Sequence, residues 1–159
     1  MPNPVKYYRL SRWLFTHGIP VLPNILDHLN TFLFHCYIPH SVEAGEGLEL
    51  AYWGLGIVIH PKTKIGNNVF IGQQVTIGGR SGNPNLPRIG DNVLIATGAK
   101  VLGDIEIGSG SVVGANAVVI NSVPPRSIVA GVPARVIRQN IDIRQYISDL
   151  NLQTEGESQ

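Results

Sequence analysis

One aliphatic residue recurs every six positions through the middle of this chain. Ile59, Ile65, Ile71 and Ile77 fall in step, and the same phase resumes at Ile89, Ile95, Val101, Ile107, Val113 and Val119. The single failure in that register is Asn83, inside the segment RSGNPNLPR. Glycine follows the aliphatic residue at 66, 72, 78, 90, 108 and 114. A small or aliphatic residue stands four places after it, as at Val69, Val75, Val93, Ala99, Ser111 and Ala117. A fixed short period decides the fold before local propensity does. Six residues cannot bury an apolar face alone, so each repeat is one flat side of a coil and must stack on its neighbours. Three sides close a coil of about eighteen residues, which is a parallel β-helix with the aliphatic side chains inside. Residues 41–124 hold between four and five such coils, a prism roughly 20–25 Å tall at ~4.8 Å per strand spacing. An ordinary sheet of buried strands does not hold this period in phase across a loop.

The interruption, residues 79–88, keeps the phase, so it is an excursion from one corner. Gly, Asn, Pro and Ser dominate it, as in surface loops, which commonly carry function on a rigid scaffold. Residues 1–37 read as a helical segment, 38–137 as the β-helix and 138–159 as a C-terminal helical and polar tail. In the first segment Tyr8, Leu10, Trp13, Leu14 and Phe15 form an apolar group ended by His17, Gly18 and Pro20, the expected stop signal. A second helix is expected from about Pro23 to Tyr37, with Ile25, Leu26, Leu29, Phe32, Leu33 and Cys36 on one stripe. That stripe is expected to pack on the rest of the protein or a neighbouring subunit in preference to a membrane surface. A short amphipathic segment is expected from Ile141 to Leu150.

Charge and cysteine narrow the function. The net charge is +1, with basic residues scattered rather than clustered, so nothing marks a nucleic-acid surface. Cys36 is the one cysteine, which excludes a disulfide within the chain and fits a cytoplasmic setting. The first residues lack the apolar core and cleavage site of a signal peptide, and no run of eighteen apolar residues exists.

VTIGG, then the Gly-rich loop, then PRIGDNVLIATGAKVLGDIEIGSGSVVGANAVVINSVPPRSIVAGVPARVI, resembles the catalytic domain of serine acetyltransferases. The resemblance runs from about Ile38 to Ile137. GAKVLG, the double proline of SVPPRS and AGVPARVI are distinctive together. The short helical start is more like the compact proteins of this kind associated with surface polysaccharides. The resemblance implies an all-β main domain, a left-handed parallel β-helix of hexapeptide repeats with a short N-terminal helical segment. It also implies a homotrimer with clefts between prisms, and acetyl-CoA as co-substrate with no metal. For acetyl-CoA it points to Gly79, Thr97, Ala115 and the stretch Ala130 to Arg135. Lys100, Arg135 and Arg138 are phosphate partners to weigh against plain surface charge.

Two departures stand out. An Asp-His pair of the family is replaced by Ala51-Tyr52, or by Tyr52-Trp53 in the other placement, and an Arg-His pair by Asn85-Leu86. Moving acetyl from a thioester to a hydroxyl needs a base, donors for the oxyanion and both substrates held together. The histidines are His17, His28, His35, His40 and His60. His17 reads as a helix cap, and His28 and His35 as surface residues. His40 stands at the entry to the repeat. His60, in GIVIHP directly after an inward Ile, is the candidate base, with a plain corner residue as its other reading. Cys36 lies on an apolar stripe, so direct transfer is favoured over an acyl-enzyme. The expected acceptor is a hydroxyl of a sugar or nucleotide sugar held by Tyr52, Trp53, Asn83 and Asn85, because a serine zwitterion needs charged partners. Serine itself is the alternative, and a non-catalytic scaffold the second. A zinc hydratase on the same fold needs three histidines, most of them within the coils, which offer only His60 and His40.

Overall fold

The computed structural model describes residues 3–82 and 84–147. From residue 37 the chain winds into a three-sided prism of two- and three-residue strands, ended by one of five and one of six. The first face stacks Glu43–Ala44, Lys64–Ile65, Arg88–Ile89 and Glu106–Ile107. The second stacks Glu49–Leu50, Phe70–Ile71, Leu94–Ile95, Val112–Val113 and Ser127–Gly131, closed by the antiparallel Ala134–Gln139. The third stacks Val58–Ile59, Thr76–Gly78, Lys100–Leu102 and Val118–Val119, with Tyr37 bridging to Val58 below them. Register runs coil to coil in parallel, as in Ile59 on Ile77 on Val101 on Val119. The in-phase aliphatic residues are all buried, together with the small residues four places on.

The corner glycines answer to close approach. A Cβ on Gly108 would lie 2.4 Å from the backbone nitrogen of Pro125, and one on Gly72 2.5 Å from that of Thr97. Only hydrogen fits where the next coil's backbone passes that near.

The three faces differ outside. The first carries Glu43, Lys64, Arg88 and Glu106 in parallel register, with Lys64 and Glu43 paired at 3.3 Å, so it suits water. The second is covered by Ile141, Ile143 and Tyr146, which pack on Phe70, Leu94 and Val112. Residues 148–150 of the expected C-terminal segment lie outside the described residues. Tyr37, Val58, Thr76, Lys100 and Val118 hold the outward register of the third face, and Tyr37 and Val58 are exposed.

Two helices cover the entry to the prism. Helix α1, Pro4–Thr16, is capped by Asn3, whose side chain accepts from the Val5 N–H, and has Pro4 in its first turn. Tyr8 donates to the Val42 carbonyl at 2.7 Å, Arg12 donates to the same carbonyl at 2.8 Å, and Arg9 donates to the carbonyls of Ala44 and Gly45. Polar groups at the first coil, which would otherwise offer an open sheet edge, are thus bound. Helix α2, Leu22–Phe34, stops three residues short of the expected end. His35 takes a left-handed φ of 53°, and Tyr37 leaves to join the third face.

Helix α2 does not pack its apolar stripe on the rest of its own chain, one of the two partners expected for it. Its buried residues are Pro23, Asp27 and Asn30, while Ile25, Leu29, Phe32 and Leu33 are exposed. Asp27 explains the choice. Its carboxylate accepts from Ser11 Oγ at 2.7 Å and from the His40 backbone N–H, and it pairs with His40 Nδ1 at 2.7 Å. That network joins α1, α2 and the prism, so the polar stripe faces inward. Among the described residues no helix is long and apolar enough to cross a membrane.

Cys36 lies in the core, beneath Gly54, whose added Cβ would be 2.7 Å from the sulfur. Burial pushes its thiol up from 9.0 to about 12, and burial likewise raises the Tyr8 phenol. Both stay neutral in the fold, while the unfolded chain gives up their protons at lower pH. The stability tied to Cys36 is therefore whole below 9.0 and lost as pH rises through the span up to about 12. Thermal melts are expected to fall steadily above about pH 9, with a shallower slope in Cys36→Ala. A midpoint that climbs with pH over that span contradicts this.

Candidate functional site

The residues singled out by sequence gather along two corners of the prism, with the third face between them. At the corner joining the second and third faces, the first coil has a surplus of three residues. Ile38 to Ile59 spans 21 residues, where Ile59 to Ile77 spans 18. The surplus is thrown out as the turn Ala51–Gly54. Tyr52 and Trp53 sit there at φ values of 47° and 54° and are 63% and 60% exposed. Two adjacent aromatic residues in the left-handed region are costly and need the surrounding structure to hold them. Hydrogen bonds do so, from Leu55 N–H to the Tyr52 carbonyl and from Ile57 N–H to that of Gly54.

Higher on this corner come Gln73, Thr97 and Ala115. Thr97 Oγ1 meets Gln73 Oε1 at 2.9 Å, across one coil. A Cβ on Gly114 would touch Ala130 at 3.2 Å, so the closing hairpin continues the same wall. Arg135 is exposed on that hairpin, and Arg138 reaches Tyr146. Lys100 lies on the third face, where its ammonium donates to the Gln74 carbonyl at 2.6 Å.

His60 stands at the other corner, joining the third and first faces. It is half-buried, its N–H donates to the Ile77 carbonyl, and its carbonyl accepts from Thr63. The ring Nδ1 accepts the Lys62 N–H at 3.3 Å. One coil above, the excursion leaves at Gly79 and returns at Arg88. Asn85 donates to Asp104 Oδ2 at 3.0 Å and Arg88 pairs with Asp104 Oδ1 at 3.5 Å, so Asp104 ties the loop back. Asn83 lies outside the described residues. A Cβ on Gly78 would meet nothing within 4 Å, and one on Gly79 only Leu86, so the wall beside His60 is open.

The structure adds residues that periodicity does not show. Asp104, Gln73 and Asp27 occupy positions without a repeating signature, and each is defined by a partner on another coil or element. His40 is held by Asp27 through Nδ1, and its ring packs on Phe15. Among the described residues no three of His, Cys, Asp and Glu converge on one point.

Comparison with known proteins agrees with this architecture. Residues 87–121 match the model of the bacterial transferase hexapeptide, six repeats. Serine acetyltransferase of Escherichia coli K12 is 36% identical over 157 residues, covering 94% of this chain and 57% of that protein. A soybean serine acetyltransferase complexed with serine superposes with a TM-score of 0.79 at 35% identity, covering 84% of this chain and 56% of that one. The Brucella abortus enzyme in complex with coenzyme A gives 0.80 at 35% identity, covering 85% and 54%. Repeat, corner geometry and coil stacking define a hexapeptide-repeat protein with a left-handed parallel β-helix. Within that class the chain is of the serine acetyltransferase-like kind. It spans little more than half the length of these relatives.

Proposed function

We propose that this protein is an acetyl-CoA-dependent O-acetyltransferase that works as a homotrimer, with its sites between neighbouring prisms. The observation that carries the assembly is the split of the candidate residues. Tyr52, Trp53, Thr97 and Ala115 line one corner, while His60, Gly79 and Asn85 line another. The third face, which carries Lys100 and is not covered like the second among the described residues, lies between them. Closed threefold packing through that face sets one corner of each prism beside the other corner of its neighbour. The likeness to a serine acetyltransferase solved with coenzyme A supports the donor. Gly79, Ala115 and Ala130 leave room along the wall for a pantetheine arm, with Arg135 exposed towards phosphate at the hairpin.

In the reaction, His60 Nε2 takes the proton of the acceptor hydroxyl as its oxygen attacks the thioester carbonyl. The C–O bond forms, the C–S bond breaks, and the imidazolium returns the proton to the departing thiolate. For Nε2 to accept, the ring must carry its own proton on Nδ1, and the long contact from the Lys62 N–H is given up. Cys36, buried and protonated, takes no part.

Serine is the acceptor that the comparisons favour, from the names of the relatives and the soybean complex with serine. This displaces the sugar hydroxyl expected first from sequence. The sugar remains the second reading on one observation. Where the resemblance places charged partners for serine, this chain presents the exposed rings of Tyr52 and Trp53. Light scattering and calorimetry on one sample are expected to give a mass of three chains and one bound acetyl-CoA per chain. A monomer at micromolar concentration, or no heat at millimolar ligand, contradicts the proposal.

A further inference from the structure

From Ala51 to Gly90 the chain holds no Asp or Glu, while it holds Lys62, Lys64, Arg80 and Arg88. That stretch contains His60 and the excursion beside it. Carboxylates from other coils take up two of the four cations. Lys64 pairs with Glu43 at 3.3 Å, and Arg88 with Asp104 at 3.5 Å. Asp104 also accepts from Asn85, so it is committed to holding the loop. Among the described residues, Arg80 and Lys62 pair with no carboxylate. Their charges flank the corner that carries His60, and an unbalanced positive corner selects an anionic group.

Arg80 is the better placed of the two. The His60 N–H donates to the Ile77 carbonyl, so Gly78 stands one coil above His60, and Arg80 follows two residues later. A strand spacing of ~4.8 Å and a rise of about 3.3 Å per residue put the α-carbons of His60 and Arg80 roughly 8 Å apart. Gly103 lies against the arginine stem, since a Cβ there would be 3.3 Å from Arg80 Cβ and 3.7 Å from Arg80 Cδ. The Gly103 N–H donates to the Gly78 carbonyl, so the stem rests on a fixed piece of the coil above. Arg80 is exposed, and the wall beside it is open at Gly78 and Gly79. A guanidinium fork takes both oxygens of a carboxylate, whereas an ammonium such as that of Lys62 is a point charge without that geometry. Asn85 stands where the resemblance places an arginine, so the guanidinium missing at 85 is present at 80, on the same loop. The donor does not account for this charge. Its thioester reacts at His60 and its phosphates lie a full pantetheine arm away, so an anionic group within reach of both His60 and Arg80 belongs to the acceptor.

We infer that Arg80 binds a carboxylate on the acceptor and makes the enzyme selective for hydroxyl acceptors that carry one. The inference rests on the acetyltransferase reading and narrows it, because L-serine and uronic acids fall inside the class and neutral sugars outside. Steady-state rates are measured for wild type, Arg80→Gln, Arg80→Lys and Lys62→Gln with L-serine, L-serinamide, galacturonate and galactose, beside melting temperatures. Wild type is expected to prefer a carboxylate to its neutral counterpart by about tenfold or more in kcat/KM. The pair that shows the preference, L-serine over L-serinamide or galacturonate over galactose, names the source of the carboxylate. Arg80→Gln is expected to raise the KM for that carboxylate by about tenfold to a hundredfold and to erase the preference. The KM for acetyl-CoA and the melting temperature are expected to hold. Arg80→Lys is expected to recover part of the loss, and Lys62→Gln to cause a smaller one. Each of four results would overturn the inference: no preference in wild type, a preference kept by Arg80→Gln, a rise in the acetyl-CoA KM in place of the acceptor KM, or a greater loss in Lys62→Gln. If no acceptor supports turnover, the acetyltransferase reading fails separately, and calorimetry of L-serine and galacturonate decides the role of Arg80. Heat in wild type that is lost in Arg80→Gln upholds that role, and no heat in wild type, or equal heat in both, overturns it.

Discussion

Replacing His60 by alanine is expected to lower turnover with acetyl-CoA by roughly two to four orders of magnitude. The expectation follows from position. Among the histidines, His60 alone stands beside the excursion loop, on the edge of the third face, with open wall next to it at Gly78. His17 and His28 hold carbonyls of their own helices, and His40 is locked between Asp27 and Phe15. The fold is expected to tolerate the change, since the ring contributes one long hydrogen bond at a corner. Steady-state rates and a melting curve on the same preparation check both halves. Wild-type turnover in His60→Ala would place the base elsewhere.

Trp53→Ala is expected to raise the acceptor KM by about tenfold, the effect of losing one aromatic anchor worth about 1.4 kcal/mol. The KM for acetyl-CoA is expected to hold, because Thr97, Ala115 and the hairpin are untouched. The split is the informative part. An indole that merely packs in the turn would disturb folding, and it is 60% exposed. Equal changes in both KM values would remove Trp53 from the acceptor side.

The prism was readable because its inward positions repeat. Every in-phase aliphatic residue from Ile59 to Val119 is buried, and after residues 79–88 the chain resumes the stack at Arg88–Ile89 above Lys64–Ile65. Helix α2 was readable as an element but not in its orientation. An apolar stripe tells which residues share a side, while Asp27 and its bonds to Ser11 and His40 decide which side turns inward. The helix end was missed for a local reason, the left-handed turn at His35, where no Gly or Pro marks the stop. For the site, the sequence supplied candidates without their grouping. The surplus residues at Ala51–Gly54 put Tyr52 and Trp53 on a different corner from His60, and that separation is what asks for a second prism. Asp104, which holds Asn85 and Arg88, sits at a non-repeating position, so nothing in the period could mark it.

The central claim, acetyl transfer from acetyl-CoA to a hydroxyl, is tested most directly by thiol release. Purified protein is supplied with acetyl-CoA and, one at a time, L-serine, amino sugars and nucleotide sugars, and free coenzyme A is followed against time. The account predicts release that depends on an acceptor, is highest with L-serine, and falls by roughly two to four orders of magnitude with His60→Ala. Release no faster than the acceptor-free control across the whole panel, from protein that binds acetyl-CoA, would contradict it and leave a non-catalytic β-helix scaffold.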